Sequence, residues 1–264
     1  MPSYKNYFNS VFNFKNKTAL VTGAGGYLGR RISFVLGELN CNLILVDHPS
    51  TKINYNNKKI SVKKYYCNFE SSLELKNLIK NIKLNNKTID IVINNASFTG
   101  GSNVKDWIVD FKNQNIEIWE NAIKVGLTAA FEISKGLAPN LKRSRGNIIN
   151  IGSIYSVLSP NKNNYVGTDI SSPAAYSVLK SGLLQLTKWL AVHLGPDIRV
   201  NMISPGGIYR RQNKIFLKKY LNKVSLNRMC KENDIDGALV YLASDFSSYV
   251  TGHNLLIDGG YSIC

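Results

Sequence analysis

Residues 18–29 read TALVTGAGGYLG, and this stretch decides the fold. A short apolar run, 18–22, meets a glycine-rich turn. From Tyr27 to Leu39 the spacing becomes helical, with Leu28, Ile32, Val35 and Leu36 on one face. In a strand–turn–helix of this kind the glycines let the backbone approach a pyrophosphate. The helix start supplies free N–H donors and a positive dipole end. The next apolar run, 42–47 (NLILVD), closes on Asp47, 18 residues after Gly29. A carboxylate there accepts from an adenosine ribose diol and repels a 2′-phosphate, which favours NAD over NADP. His48 and the basic run Lys52, Lys58, Lys59, Lys63 and Lys64 keep NADP open.

Working outward, the alternation continues. Strands are expected at 62–66, 89–94, 147–151, 198–203 and 254–257. Helices are expected at 72–82 (Leu75, Leu78, Ile79 and Ile82 inward), 119–137, 174–194 and 233–243. Short apolar strands between amphipathic helices imply parallel strands joined by right-handed crossovers. The expected fold class is α/β, a Rossmann-type doubly wound parallel sheet of about seven strands flanked by helices. No linker or internal repeat interrupts the pattern. Residues 17–264 therefore read as one domain behind an N-terminal extension, 1–16. In such a sheet ligands bind beyond the carboxyl ends of the strands.

Composition excludes several classes. With 44% hydrophobic residues, a disordered or fibrous chain is excluded. No run reaches the roughly 18 apolar residues of a membrane span. The first residues mix Asn, Lys and aromatics and lack a secretory pattern, so a cytoplasmic location is expected. Cys41, Cys67, Cys230 and Cys264 lie far apart, suggesting neither a metal site nor a disulfide framework. The 33 Lys+Arg against 17 Asp+Glu give a net charge of +16. That excess fits nucleic acid, an anionic membrane, anionic small substrates, or mere abundance of lysine. No nucleic-acid module accompanies it, so neither nucleic acid nor membrane is expected as a partner.

Tyr176 and Lys180 stand four apart in the 174–194 helix and share a face. A cation one turn away, with a positively charged nicotinamide, favours the phenolate and draws tyrosine toward neutral pKa. Around this pair stand Thr22-Gly23 with Gly26 and Gly29, then Asn94-Asn95-Ala96, Ser153, Ser204-Pro205-Gly206-Gly207 and Asp258-Gly259-Gly260. The ordered set resembles the short-chain dehydrogenase/reductase family, from about residue 17 to 260. The resemblance implies hydride transfer with Tyr176 as general acid/base. Lys180 would lower its pKa and hold the nicotinamide ribose, and Ser153 would hydrogen-bond the substrate oxygen. It also assigns Gly23, Gly26, Tyr27, Leu28, Gly29, Asp47, Asn68, Phe69, Asn94, Asn95, Ala96, Pro205, Gly206 and Ile208 to the cofactor. Tyr155, Arg210 and Arg211 are assigned to the substrate. A homodimer or homotetramer through the two long helices is implied as well.

The chain departs from the family pattern at several places. Tyr27 stands where members of this length have glycine. Asn68 replaces an acidic residue after the third strand. Gly126 replaces the asparagine that holds a proton-relay water beside the lysine, so a slower enzyme or a non-catalytic dinucleotide binder is a competing reading. Finally, 23 positions separate Ser153 from Tyr176, more than is usual. The extra residues, within 154–172, include Pro160, Asn163, Asn164, Tyr165, Gly167 and Asp169. They suit a lid over a polyhydroxylated ligand, and equally an ordinary surface insertion.

Between residues 201 and 230 lie Arg210, Arg211, Lys214, Lys218, Lys219, Lys223 and Arg228, with no Asp or Glu. Arg210 takes the place of the family's usual threonine. Arginine forms paired bonds to phosphate or carboxylate, so an anionic substrate is expected. The stretches GNIINIGSIYSVLSP and PAAYSVLKSGLLQLTKWLA resemble flagellin-modification oxidoreductases of bacterial nonulosonate (legionaminic-type) sugar pathways. The expected substrate is thus a secondary alcohol or ketone on a phosphorylated or nucleotide-linked sugar. A 3-oxoacyl carrier-protein reductase remains the alternative enzyme.

Overall fold

The computed structural model describes residues 11–98, 107–168 and 171–264. Among these residues seven strands form one sheet: β1 (Thr18–Thr22), β2 (Asn42–Asp47), β3 (Val62–Tyr66), β4 (Ile91–Asn94), β5 (Asn147–Ile151), β6 (Arg199–Pro205) and β7 (Asn254–Ile257). Their order is β3-β2-β1-β4-β5-β6-β7, and every neighbouring pair is parallel. The principal helices are α1 (Tyr27–Glu38), α2 (Ser72–Asn85), α3 (Ile116–Ile123), α4 (Ala129–Ser144), α5 (Ala174–Leu194), α6 (Lys214–Leu221) and α7 (Asp236–Ala243).

The sheet is buried on both faces because successive strand residues point to opposite sides. Ala19 and Val21 of β1 join Ile32 and Leu36 of α1 and Leu239 and Leu242 of α7 in one core. Leu20, between them, faces the other core with Leu75, Leu78 and Ile82 of α2, Leu137 of α4 and Leu190 of α5. A buried polar chain crosses the second layer. Asn94 Nδ2 donates to Asn150 Oδ1 at 2.8 Å, and Asn150 Nδ2 donates to Thr187 Oγ1 at 2.8 Å. The edge strand β3 instead shows Lys63 and Lys64 to solvent, charges that discourage further strand pairing.

Some boundaries differ from the sequence-based ones. β4 starts at Ile91, because the Ile89 and Asp90 N–H groups bond to Asn140 and Thr18. The helix expected at 119–137 starts at Ile116, where the Asn115 side chain accepts from the Glu117 N–H. It then passes through a π-turn at Lys124–Thr128 and runs on as α4. Gly126 sits in that π-turn, where a Cβ would lie 2.9 Å from Leu179 Cδ1 of α5. The asparagine expected from the family would therefore need Leu179 to move. The helix expected at 233–243 opens as a 3₁₀ turn, Glu232–Ile235. Residues 1–10 of the N-terminal extension lie outside the described residues. Phe14 of that extension is fully buried, and its N–H donates to Leu39 O at 2.9 Å.

The start of α1 lies close against the backbone of the glycine turn. A Cβ on Gly29 would lie 1.9 Å from Gly23 O. Gly29→Ala is expected to destabilise the protein by about 1–3 kcal/mol or more, through forced displacement of backbone. Urea unfolding checks this; an unchanged midpoint would show that the turn yields freely.

Candidate active site

β1 and β4 are neighbours in the sheet, yet their outgoing chains part to opposite faces. A crevice opens at this topological switch point. Its rim is pinned by Thr22, whose Oγ1 donates to Ile93 O and accepts from the N–H groups of Asn95 and Ala96, both at 3.0 Å. Asn95 Nδ2 donates back to Thr22 O at 2.8 Å and Gly23 O at 3.1 Å. The glycine turn is thereby held open beside a cleft of about 1030 Å³.

The cleft fits a dinucleotide at its glycine end. α1 begins without a side-chain cap and with no acid in its first turn, so its leading N–H groups are free to meet an anion. Gly23, Gly26, Tyr27, Leu28 and Gly29 line this end. Asp47 lines it too, its Oδ2 accepting from the Gly25 N–H at 2.7 Å and its Oδ1 from the His48 N–H at 2.7 Å. Each oxygen keeps a lone pair for a ribose hydroxyl. Asn68, Phe69, Asn95, Ala96, Pro205, Gly206 and Ile208 also line the cleft.

Deeper in, β5 and α5 bring three side chains together. Ser153 follows β5, and its Oγ accepts from the Tyr155 N–H at 3.2 Å, which fixes the hydroxyl. Tyr176 stands on the first turn of α5, and Lys180 one turn further along the same face. Lys180 is 3% exposed, and its Nζ donates to Ile151 O at 2.8 Å. Burial of the ammonium lowers its pKa to about 8. Burial pushes the Tyr176 phenol up, while a hydrogen bond with Ser153 opposes that. Within the chain itself burial is the larger influence on the Tyr176 phenol. The Lys180 Nζ lies 5.7 Å from the Tyr176 ring centroid. The positive charge of an oxidised nicotinamide is the contribution that the chain itself does not supply.

An aromatic wall faces these groups. Tyr155 meets the Tyr176 ring edge-on with centroids 6.3 Å apart, and its hydroxyl lies 2.8 Å from that of Tyr165. Burial raises the pKa of both Tyr155 and Tyr165, so these are neutral hydroxyls. Tyr165 comes from the insertion, as do the lining residues Ser171 and Ser172. Tyr165 in turn packs on Phe216 of α6. The Tyr220 hydroxyl of α6 accepts from the Gly207 N–H at 2.6 Å, tying the basic segment 201–230, which forms a lid beside the cleft, to the strand end. Asn164 is buried and donates to the Tyr261 hydroxyl. Pro160, Asn163 and Gly167 do not line the cleft, and Asp169 lies outside the described residues.

Three assignments change. Asn94 is 4% exposed and spends its amide N–H groups on Asn150 and Ser134, so it supports the sheet end and does not line the cleft. Arg211 is exposed and does not line the cleft. Arg210 does line the cleft, but at its glycine end, with its guanidinium 4.3 Å from the Tyr27 ring centroid. The rest of the basic lid is engaged or turned outward. Arg228 pairs with Asp234, Lys219 donates to Val166 O, and Lys214, Lys218 and Lys223 do not line the cleft. Among the described lining residues the Arg or Lys side chains are Lys180 and Arg210. Trp107 and Tyr220 are lining residues that received no sequence-based role, and Tyr165 was named only as part of the insertion. The length of the insertion was the available signal for Tyr165; no motif marks Trp107. No group of His, Cys, Asp or Glu suited to a metal occurs among the described residues.

The buried Lys180 makes stability depend on pH. Between about 8 in the folded chain and 10.5 in the unfolded chain, the unfolded state binds one more proton, so stability rises with pH across that window. Below about 8 the fold carries the full cost of the buried charge. Relative to Lys180→Met, the wild type should gain about 1–3 kcal/mol of unfolding free energy over that window. Urea unfolding of both proteins across the range reads the difference; a constant difference would mean that Lys180 is not desolvated.

Comparison with known proteins agrees with this geometry. A family model described as enoyl-(acyl carrier protein) reductase matches residues 24–262. A 3-oxoacyl-(acyl-carrier-protein) reductase of Buchnera aphidicola is 31% identical, over 93% of this chain and 97% of the relative. The post-translational flagellin modification protein A of Campylobacter coli is 44% identical over 123 residues, which are 46% of this chain and 48% of that protein. The crystal structure of a Leptospira borgpetersenii short-chain dehydrogenase with bound NAD+ superposes with a TM-score of 0.85 at 31% identity, covering 97% of this chain and 95% of that one. With a serine, tyrosine and lysine gathered at the nicotinamide end of a switch-point cleft, the chain belongs to the short-chain dehydrogenase/reductase family of oxidoreductases.

Proposed function

We propose that the protein is an NAD-dependent oxidoreductase that interconverts a secondary alcohol and a ketone on a sugar-type substrate. The observation that carries this reading is the convergence of Ser153, Tyr176 and Lys180 on the same cleft that the glycine turn opens. The nicotinamide, when bound, supplies or accepts the hydride. Tyr176 then gives a proton to the developing alkoxide, or takes it from the alcohol, at its phenolic oxygen. Ser153 donates a hydrogen bond to the same substrate oxygen. Lys180 holds positive charge beside the Tyr176 ring and would donate its remaining N–H groups to the nicotinamide ribose hydroxyls.

Asp47 supports NAD, since a 2′-phosphate brought to its carboxylate meets like charge. The Tyr155 and Tyr165 hydroxyls, with Ser171 and Ser172, support a polyhydroxylated substrate. The partial similarity to the flagellin modification protein supports a setting in bacterial surface-sugar or flagellin-glycan synthesis. A phosphorylated or nucleotide-linked sugar remains within the proposal, with its anionic group directed away from Tyr176, because the lid lysines do not line the cleft. The Buchnera relative favours one second reading, reduction of a 3-oxoacyl carrier protein. The exposed Trp189, Val178 and Val192 of α5 support the homodimer or homotetramer that the resemblance implied. No described helix is long and apolar enough to cross a membrane.

Tyr176→Phe should lower kcat by about 100-fold or more, while NAD+ binding stays within about twofold of wild type. NADH absorbance and calorimetry measure the two, and full turnover in the variant would remove Tyr176 from the chemistry. In a screen of sugars, sugar phosphates, nucleotide sugars and a 3-oxoacyl thioester, turnover is expected with a sugar class and with NADH ahead of NADPH by about tenfold. Turnover of the thioester alone would establish the second reading.

A further inference from the structure

Two departures from the family pattern lie on different elements, Tyr27 in the glycine turn and Arg210 after β6. Nearly two hundred residues of chain separate them, and the fold puts them in contact. The Arg210 guanidinium stacks over the Tyr27 ring at 4.3 Å from its centroid, a cation–π distance. Tyr27 is the first residue of α1, so its ring stands at the uncapped N-terminus that the cofactor's pyrophosphate would meet. Arg30 lies over the same ring at 5.3 Å. Positive charge is thus concentrated at the positive end of a helix, an arrangement that repels itself until an anion arrives.

One carboxylate of the chain offsets it. Arg210 Nη1 pairs with Glu232 Oε1 at 2.6 Å and also donates to Tyr209 O. The pair is about one-third exposed on each side, so water screens it and the pairing is easily exchanged. The neighbouring acid Asp236 is already engaged by Arg31. The segment bearing Arg210 is held to the fold independently of the arginine. Ile208 bridges to Cys230, and the Gln212 side chain accepts from the Arg210 N–H and donates to Ile208 O. The guanidinium can therefore change partner while its backbone stays in place.

We infer that Arg210, carried on the Tyr27 ring, is a ligand for the pyrophosphate of the dinucleotide, and that it leaves Glu232 to bind it. This rests on the nicotinamide-dependent reading above. It replaces the sequence-based role of Arg210 as a clamp for the substrate. A tyrosine in place of glycine costs the turn some closeness to the phosphates, and the arginine it supports compensates from the opposite wall.

The test is calorimetric, on the full chain, with NAD+ and with ADP-ribose, which keeps the pyrophosphate and lacks the nicotinamide. Arg210→Met should raise the Kd of both by about tenfold, the scale of a lost charge-assisted hydrogen bond. Arg210→Lys should recover part of that loss. Glu232→Gln should tighten both ligands by several-fold, because it removes the competitor; a variant that merely damaged the site could not do so. Kd values within about twofold of wild type for Arg210→Met, or weaker binding for Glu232→Gln, would overturn the inference. So would a raised substrate KM with unchanged Kd for ADP-ribose, which would return Arg210 to the substrate. If the wild type binds NAD+ but turns over no sugar, the substrate reading fails while the pyrophosphate role is still decided by the Kd values.

Discussion

The hydroxyl of Thr22 donates to the Ile93 carbonyl and receives the amides of Asn95 and Ala96, while the Asn95 side chain closes back on Thr22 and Gly23. This clasp ties the ends of β1 and β4 at the point where their chains diverge. Everything functional is placed relative to it. The glycine turn leaves from one side and leads into α1, whose free amides face the cleft. The Asn95–Ala96 segment leaves from the other and lines the opposite rim. The clasp is short, largely buried at Thr22 and made of backbone and small side chains, so few conformations satisfy it.

From that fixed point the fold can hold a lysine in a place where lysine is costly. The Lys180 ammonium is buried, its partner in the protein is the Ile151 carbonyl, and its pKa is drawn down accordingly. A buried cation with unfilled donor capacity is poised for a ligand that brings acceptors. Burial of the Tyr176 phenol works against its ionisation, and the Ser153 hydrogen bond works the other way. The π-turn at Gly126 lies close by, packed on Leu179, the residue before Lys180.

The net charge of +16 is distributed mainly away from this centre. Lys63 and Lys64 sit on the exposed edge strand, and the lid lysines do not line the cleft. Arg210 and Lys180 are the Lys or Arg side chains that line it among the described residues, one at each end of the cofactor's expected path. Charge in the cleft is thus suited to a dinucleotide, while the substrate end is a surface of neutral hydroxyls and aromatic rings.

The sequence by itself determined the α/β architecture. Alternating apolar runs, glycine turns and helical spacing are local signals, and β1, β2, β3, β5, β7 and α5 fall at the expected residues. It also marked Tyr176 and Lys180 by their spacing of four on a helix, while Ser153 came through the family resemblance that the ordered set of motifs carries. Only the tertiary structure decided the fate of Asn94, of Arg211 and of the lid cations. Which way a polar side chain at a strand end turns depends on partners such as Asn150 and Thr187, far away in sequence. The contact of Tyr27 with Arg210 was illegible for the same reason: two residues on separate elements meet through packing, and no local pattern encodes that meeting.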